Sequence, residues 1–187
     1  MSQSIGPIAL VTVLIPLLAD IAVAEEAVGF DRPGPFVGLD FSYGYEDFDK
    51  DDVDVDDSLG FSVYLGQRID SHFSVGLRWE FMSEFETSKD ATSSEVETHT
   101  LMGTGRFYLL TQRIQPFLAV GFGLVHVRDD DGLFDDGNAF GVQAGGGLDF
   151  YLTDHVVLGA GAGYVVPATD LDDVRYVSIH GGVMYRF

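Results

Sequence analysis

From residue 35 to the C-terminus, apolar and polar positions alternate with period two, which marks β-strands with one greasy and one wet face. No helical period interrupts them. In residues 36–46, Val37, Leu39, Phe41, Tyr43 and Tyr45 alternate with Gly38, Asp40, Ser42, Gly44 and Glu46. Residues 59–68 set Leu59, Phe61, Val63 and Leu65 against Gly60, Ser62, Tyr64, Gly66 and Arg68, and residues 73–82 set Phe73, Val75, Leu77, Trp79 and Phe81 against Ser74, Gly76, Arg78 and Glu80. Residues 98–110 carry Leu101, Phe107 and Leu109 on one parity and Thr100, Met102, Thr104 and Arg106 on the other. In residues 116–127, Leu118, Val120, Phe122 and Leu124 oppose Ala119, Gly121 and Gly123; in 139–152, Phe140, Val142, Ala144, Leu148 and Phe150 oppose Gly141, Gln143, Gly145, Gly147, Asp149 and Tyr151. Residues 156–165 set Val156, Leu158, Ala160, Ala162 and Tyr164 against Gly159, Gly161 and Gly163. The final stretch, 174–187, sets Val177, Ile179, Val183, Tyr185 and Phe187 against Ser178, His180, Met184 and Arg186.

The connections between these eight strands alternate in length. Asp70-Ser71 and Thr153-Asp154 give tight turns, and the link from the fourth strand to the fifth is also short. The first-to-second, third-to-fourth and fifth-to-sixth links are long and polar, with a shorter one at residues 167–173. Short turns at one end and longer loops at the other fit an outer-membrane barrel with both termini on the periplasmic side.

Which face points inward decides between a soluble and a membrane barrel. The wet face is mostly Gly, Ser and Thr, too small to build a dry core, while the other is a nearly unbroken belt of Leu, Val, Phe and Tyr. In water such a belt exceeds what a soluble monomer tolerates; in lipid it is at home, and closure satisfies every backbone amide. The expected fold is all-β: an eight-stranded antiparallel up-and-down transmembrane β-barrel. Aromatic girdles are expected from Tyr43, Tyr45, Trp79, Phe81 and Phe140 at the loop ends and Phe73, Phe107, Phe117, Phe150, Tyr185 and Phe187 at the turn ends.

Ahead of the strands, the apolar run of residues 8–18 ends in Ala22-Val23-Ala24, which reads as a signal peptide over residues 1–24. The run is too short for a spanning helix and contains Pro16. Residues 25–187 then form the mature barrel domain, with 25–35 as an irregular lead-in and strands from about residue 35.

Charge and composition narrow the function. A formal net charge of -20 excludes nucleic acid as a partner, and the absence of cysteine excludes disulfides and thiolate chemistry. The acids cluster: residues 46–57, EDFDKDDVDVDD, hold eight, and residues 128–137, RDDDGLFDDG, hold five. With Glu84, Glu86, Asp90, Glu95, Glu97, Asp170, Asp172 and Asp173, the loops of one rim hold 21 of the 29 acids beyond residue 24. A calcium-binding loop starting at Asp47 fails, because its sixth position is Asp52 and its twelfth Ser58. A solvated acidic face is the reading preferred over diffuse attraction of divalent cations, and no cofactor or metal site is expected.

On the inward parity stand Asp40, Glu80 and Asp149 with Arg68, Arg78 and Arg106, plus His180, Gln143 and Tyr151. Eight strands enclose only enough room for side chains, and buried ions must pair. Asp40, Arg68, Arg78, Glu80, Arg106, Asp149 and His180 are therefore the candidate lumen ion-pair network, a plug rather than a channel. A narrow path for protons, water or small solutes through the same residues is the alternative.

The terminal segment VMYRF, with Tyr185 and Phe187, resembles the C-terminal sorting signal of bacterial outer-membrane barrels. Together with PFVGLDFSYGY, QPFLAVGFGLVHV and VQAGGGLDFYLTDH, it makes the region from residue 35 onward similar to the OmpA-like and OmpX-like small outer-membrane β-barrel families. The resemblance implies an integral protein of a Gram-negative outer membrane, without enzymatic activity, serving envelope structure or surface interaction through its acidic loops. It implies outer-membrane lipids and lipopolysaccharide as partners, engagement of the barrel-assembly machinery through the C-terminal strand, and a monomer. With no peptidoglycan-binding domain after Phe187, the tethering role of longer relatives is not expected. Some barrels of this size are lipid A hydrolases with Ser, His and an acid, which makes a lipid A-modifying enzyme a third reading. Its one candidate pair, Ser178 and His180, faces the lumen, and no Gly-x-Ser-x-Gly elbow is present.

Overall fold

In a computed structural model the protein is described for residues 29–46, 54–55, 58–89, 92–129, 137–168 and 175–187. The signal-peptide expectation and most of the acidic loop residues lie outside the described residues. Eight long strands carry the fold: β1 Gly34–Glu46, β2 Ser58–Arg68, β3 Phe73–Lys89, β4 Thr92–Tyr108, β5 Ile114–Asp129, β6 Gly137–Tyr151, β7 Val156–Ala168 and β8 Tyr176–Arg186. Each pairs antiparallel with its sequence neighbour, and β8 pairs back onto β1 from Phe36↔Arg186 to Glu46↔Tyr176. That last ladder closes the sheet and leaves no edge to aggregate. At the seam the Phe187 amide donates to the Pro35 carbonyl at 3.1 Å. Among the described residues no helix is long and apolar enough to cross a membrane.

Alternation fixes which way each side chain points. Asp40 is 2% exposed and its neighbour Phe41 73%, so one residue step turns a side chain from the axis to the surroundings. Leu39, Leu59, Leu65, Leu77, Leu118, Val120, Phe122, Phe140 and Ile179 all stand on the exposed face. Arg68, Arg78, Glu80, Arg106 and Asp149 are buried inside. The barrel is inside-out.

The short turns are built by side-chain caps. Asp70 Oδ1 accepts from the amides of His72 (2.7 Å) and Phe73 (2.9 Å), and Thr153 Oγ1 accepts from those of His155 (3.2 Å) and Val156 (3.0 Å). These are the local bonds that make Asp and Thr turn residues.

Two expectations are corrected. The link from the third strand to the fourth is a hairpin extension rather than a long loop: β3 and β4 stay paired out to Lys89↔Thr92, past a register shift between Met82 and Phe85. Glu84, Glu86, Glu95 and Glu97 therefore stand in strands, and a two-residue segment, Asp54–Val55, pairs with Ser88 and Thr87 of the extension. Phe117 leaves the aromatic girdle. It shares parity with Ala119 and Gly121, is 5% exposed, and points into the barrel.

The barrel lumen as candidate functional site

At the short-turn end of the barrel, its floor, Arg68 at the end of β2, Gln115 at the start of β5, Tyr151 at the end of β6 and Arg186 at the end of β8 converge on one segment, residues 29–32. The Phe30 carbonyl accepts from Arg68 Nη1 (3.4 Å), Gln115 Nε2 (3.4 Å) and Arg186 Nη1, and the Arg32 carbonyl accepts from Arg186 Nη2. Arg68 Nη1 also donates to Gln115 Oε1 (2.7 Å) and Tyr151 Oη (3.0 Å), while Arg186 Nη1 reaches Tyr151 Oη at 2.9 Å. The Phe30 ring packs on Tyr151 with centroids 5.1 Å apart. Two buried guanidiniums are thus satisfied by carbonyls and hydroxyls instead of acids, and the lead-in chain lies across the mouth.

Above the floor come two ion pairs. Arg106 Nη1 stands 3.8 Å from Asp149 Oδ2, which also accepts from Tyr108 Oη at 3.2 Å. The Arg106 guanidinium lies between the rings of Tyr64 (4.9 Å) and Phe117 (4.8 Å), a site where Arg gains from cation–π attraction in a dry setting. Arg78 Nη2 lies 3.3 Å from Asp40 Oδ2 as a contact of charges without a directed hydrogen bond. Higher still, Ser178 Oγ donates to Glu80 Oε1 at 2.7 Å.

Of the seven residues expected to form an ion-pair network, the structure brings four together as pairs: Arg78 with Asp40 and Arg106 with Asp149. Arg68 instead serves the floor, Glu80 accepts from a serine, and His180 lines the lumen with its Nδ1 unpartnered. Pairs form where register puts opposite charges within reach; Arg68, at the very end of β2, meets turn carbonyls first. Sequence reasoning left Arg186 out of the interior set although it shares the parity of His180. Phe30, Gln115 and Tyr108 gave no signal, since residue 30 lies before the alternation starts and the other two sit at strand ends.

Two cavities, of ≈ 30 Å³ and ≈ 10 Å³, lie beside the pairs; Tyr64, Arg106, Phe117 and His180 border both. Volumes of that order hold one or two waters. On their walls Arg78 Nε and His180 Nδ1 are buried without a protein partner, as are Ser42 Oγ and Ser62 Oγ elsewhere inside the barrel. The lumen is a set of small pockets between ion pairs, with Phe30 seated at the floor. The Ser178 hydroxyl is committed to Glu80, so Ser178, His180 and an acid do not form a nucleophile relay.

A family model described as the outer membrane protein beta-barrel domain matches residues 13–187. The chain belongs to that family. This outer membrane protein beta-barrel is similar in fold to Neisserial surface protein A, with 21% identity, a TM-score of 0.63, and coverage of 87% of this chain and 100% of that one. It is likewise similar to OprG of Pseudomonas aeruginosa (13% identity, TM-score 0.60, 82% and 96% covered) and to OprH of P. aeruginosa (16%, 0.53, 82% and 99%). No curated protein sequence matches it. The beta-barrel is an integral protein of a Gram-negative outer membrane.

Proposed function

We propose that this outer-membrane barrel is non-enzymatic and serves envelope integrity or surface interaction through its acidic extracellular loops. The observation that carries the reading is the crowded lumen: two ion pairs, small cavities of ≈ 30 Å³ and ≈ 10 Å³ beside them, and Phe30 seated over the floor. A barrel that neither conducts nor holds a nucleophile relay acts through its surfaces. One is the lipid-facing belt. The other is the outer rim, where the sequence concentrates acid residues that attract divalent cations, the same ions that bridge lipopolysaccharide phosphates. That Neisserial surface protein A, of similar fold, is named for the cell surface supports this assignment.

The partners that follow are outer-membrane lipids and lipopolysaccharide, with the C-terminal strand and its Tyr185 and Phe187 read by the barrel-assembly machinery, and the barrel acting as a monomer. The test is replacement of the acids of residues 46–57 by their amides in cells. The expected result is loss of detergent resistance and of magnesium-dependent binding to lipopolysaccharide vesicles, with the barrel still inserted. Unchanged behaviour in both assays rejects the reading.

A narrow pore is the second reading, favoured by the unpartnered polar atoms and small pockets inside the barrel. Single-channel recording in planar bilayers separates the two: silence supports the plug, and any stable, reproducible conductance supports the pore.

A further inference from the structure

The outward face of the barrel carries, at the level of Trp79 and Phe81, two histidines that the lumen and the acidic loops do not use. His99 of β4 and His126 of β5 are direct partners across the antiparallel ladder. Their ring centroids are 6.2 Å apart with 33° between the planes. Each ring is held by a different neighbour. The His99 ring lies against Trp79 (6.3 Å, 15°) and Phe81 (4.9 Å, 46°), while His126 Nδ1 is 2.9 Å from Asn138 Oδ1 on β6.

We propose that His99 and His126 form a two-imidazole site for a divalent transition-metal cation, of the Zn²⁺, Cu²⁺ or Ni²⁺ class, on the lipid-facing side of the outer rim. Directly opposed residues of an antiparallel pair have Cβ atoms roughly 4.5–5.5 Å apart, so two imidazoles there reach one ion without moving the backbone. With metal–nitrogen bonds of about 2.0–2.1 Å, two imidazoles on a tetrahedral ion have centroids about 5 Å apart, so side-chain rotation has to close the 6.2 Å separation by about 1 Å. Imidazole is the ligand type that suits zinc, copper and nickel.

The Asn138 contact sets the chemistry. With Oδ1 as acceptor, His126 Nδ1 carries the hydrogen and Nε2 keeps the lone pair a metal needs; an orienting hydrogen bond on the other nitrogen is the usual companion of a ligating histidine. An ordinary girdle histidine, present only for its amphipathic ring, calls for neither a facing histidine nor a fixed tautomer. The cation is drawn by the protein's own field, since the chain carries a net charge of -20 with its acids gathered at the same rim. Water at the headgroup level completes the coordination.

The chain has a single tryptophan, and it stacks on His99, which supplies the readout. Cu²⁺ titrated into the full barrel refolded in detergent should quench Trp79 fluorescence saturably in the micromolar range, and Zn²⁺ should relieve the quenching. His126→Asn, which does not touch Trp79, should raise the half-quenching concentration by about tenfold or more, as should His99→Asn; Asn138→Ala should raise it by about tenfold. His72→Asn and His155→Asn, at the opposite end of the barrel, should leave it unchanged. Quenching that survives in His126→Asn comes from the acidic loops or from His99 alone and overturns the proposal, as does the absence of saturable quenching.

Discussion

Arg78 reaches Asp40 at 3.3 Å although β2 stands between their strands. On the intervening strand Arg78 pairs with Tyr64, its guanidinium 5.8 Å from that ring, while Asp40 pairs with the small residue Ser62. Both ions are buried, so removing one leaves the other without compensation, at a cost of about 3–5 kcal/mol, whereas replacing both by apolar residues of similar volume is often near neutral. Arg78→Ala should therefore lower stability by that amount, read from the urea midpoint of the heat-modifiable gel shift in lipid vesicles. Arg78→Met with Asp40→Leu should recover most of it. Equal midpoints for the single variant and the parent protein would refute a working pair.

The space that Asp40 occupies depends on a glycine across the seam. A Cβ at Gly182 of β8 would sit 2.0 Å from the Leu39 carbonyl oxygen and 2.5 Å from Asp40 Oδ1, and the first of these is backbone that cannot swing away. Gly182→Ala should cost about 1–3 kcal/mol, the range of an overpacked core. Gly103→Ala is the control, because the nearest atoms to a Cβ there are at 3.7 Å. Identical urea midpoints for the two variants would show that the seam is looser than drawn.

Membrane depth should grade the cost of charge on the outer face. Leu39 lies mid-strand on that face, and Tyr45 lies on it near the outer rim. Leu39→Arg should destabilise the barrel by about 2–4 kcal/mol and Tyr45→Arg by about 0–1 kcal/mol. Refolding titrations in vesicles measure both. A reversed order would place the midplane elsewhere.

Parity was legible in the sequence because a period of two is a geometric property of the strand: once Phe41 is outward, Asp40 has nowhere to point but the axis. Polar hairpin extensions were not legible. Residues 83–97 have no apolar face, and a stretch of Ser, Thr and Glu reads as loop even where its backbone stays paired to Lys89↔Thr92. Phe117 misled through position, lying near a turn as girdle residues do while its parity sends it inward. The charges of the lumen could be counted from the sequence, but their partners could not, since Arg78 meets Asp40 across an intervening strand and Arg68 meets only uncharged groups. Phe30 was invisible because its role is carried by its backbone carbonyl, which every residue possesses.

That carbonyl yields the last prediction. Arg68 and Arg186 are 2% exposed each, and the Phe30 and Arg32 carbonyls accept from their guanidiniums. Deleting residues 29–33 removes those acceptors together with the ring that covers Tyr151, and leaves two positive charges facing an open floor. Buried cations that lose part of their partners recruit water and counter-ions. The shortened barrel should conduct measurably more than the full chain in planar bilayers, with a reversal potential favouring anions, and Arg68→Gln with Arg186→Gln in the same background should remove the anion preference while keeping the leak. If deletion leaves the bilayer as silent as the full chain does, the ion pairs above the floor seal the lumen by themselves and Phe30 is a packing residue.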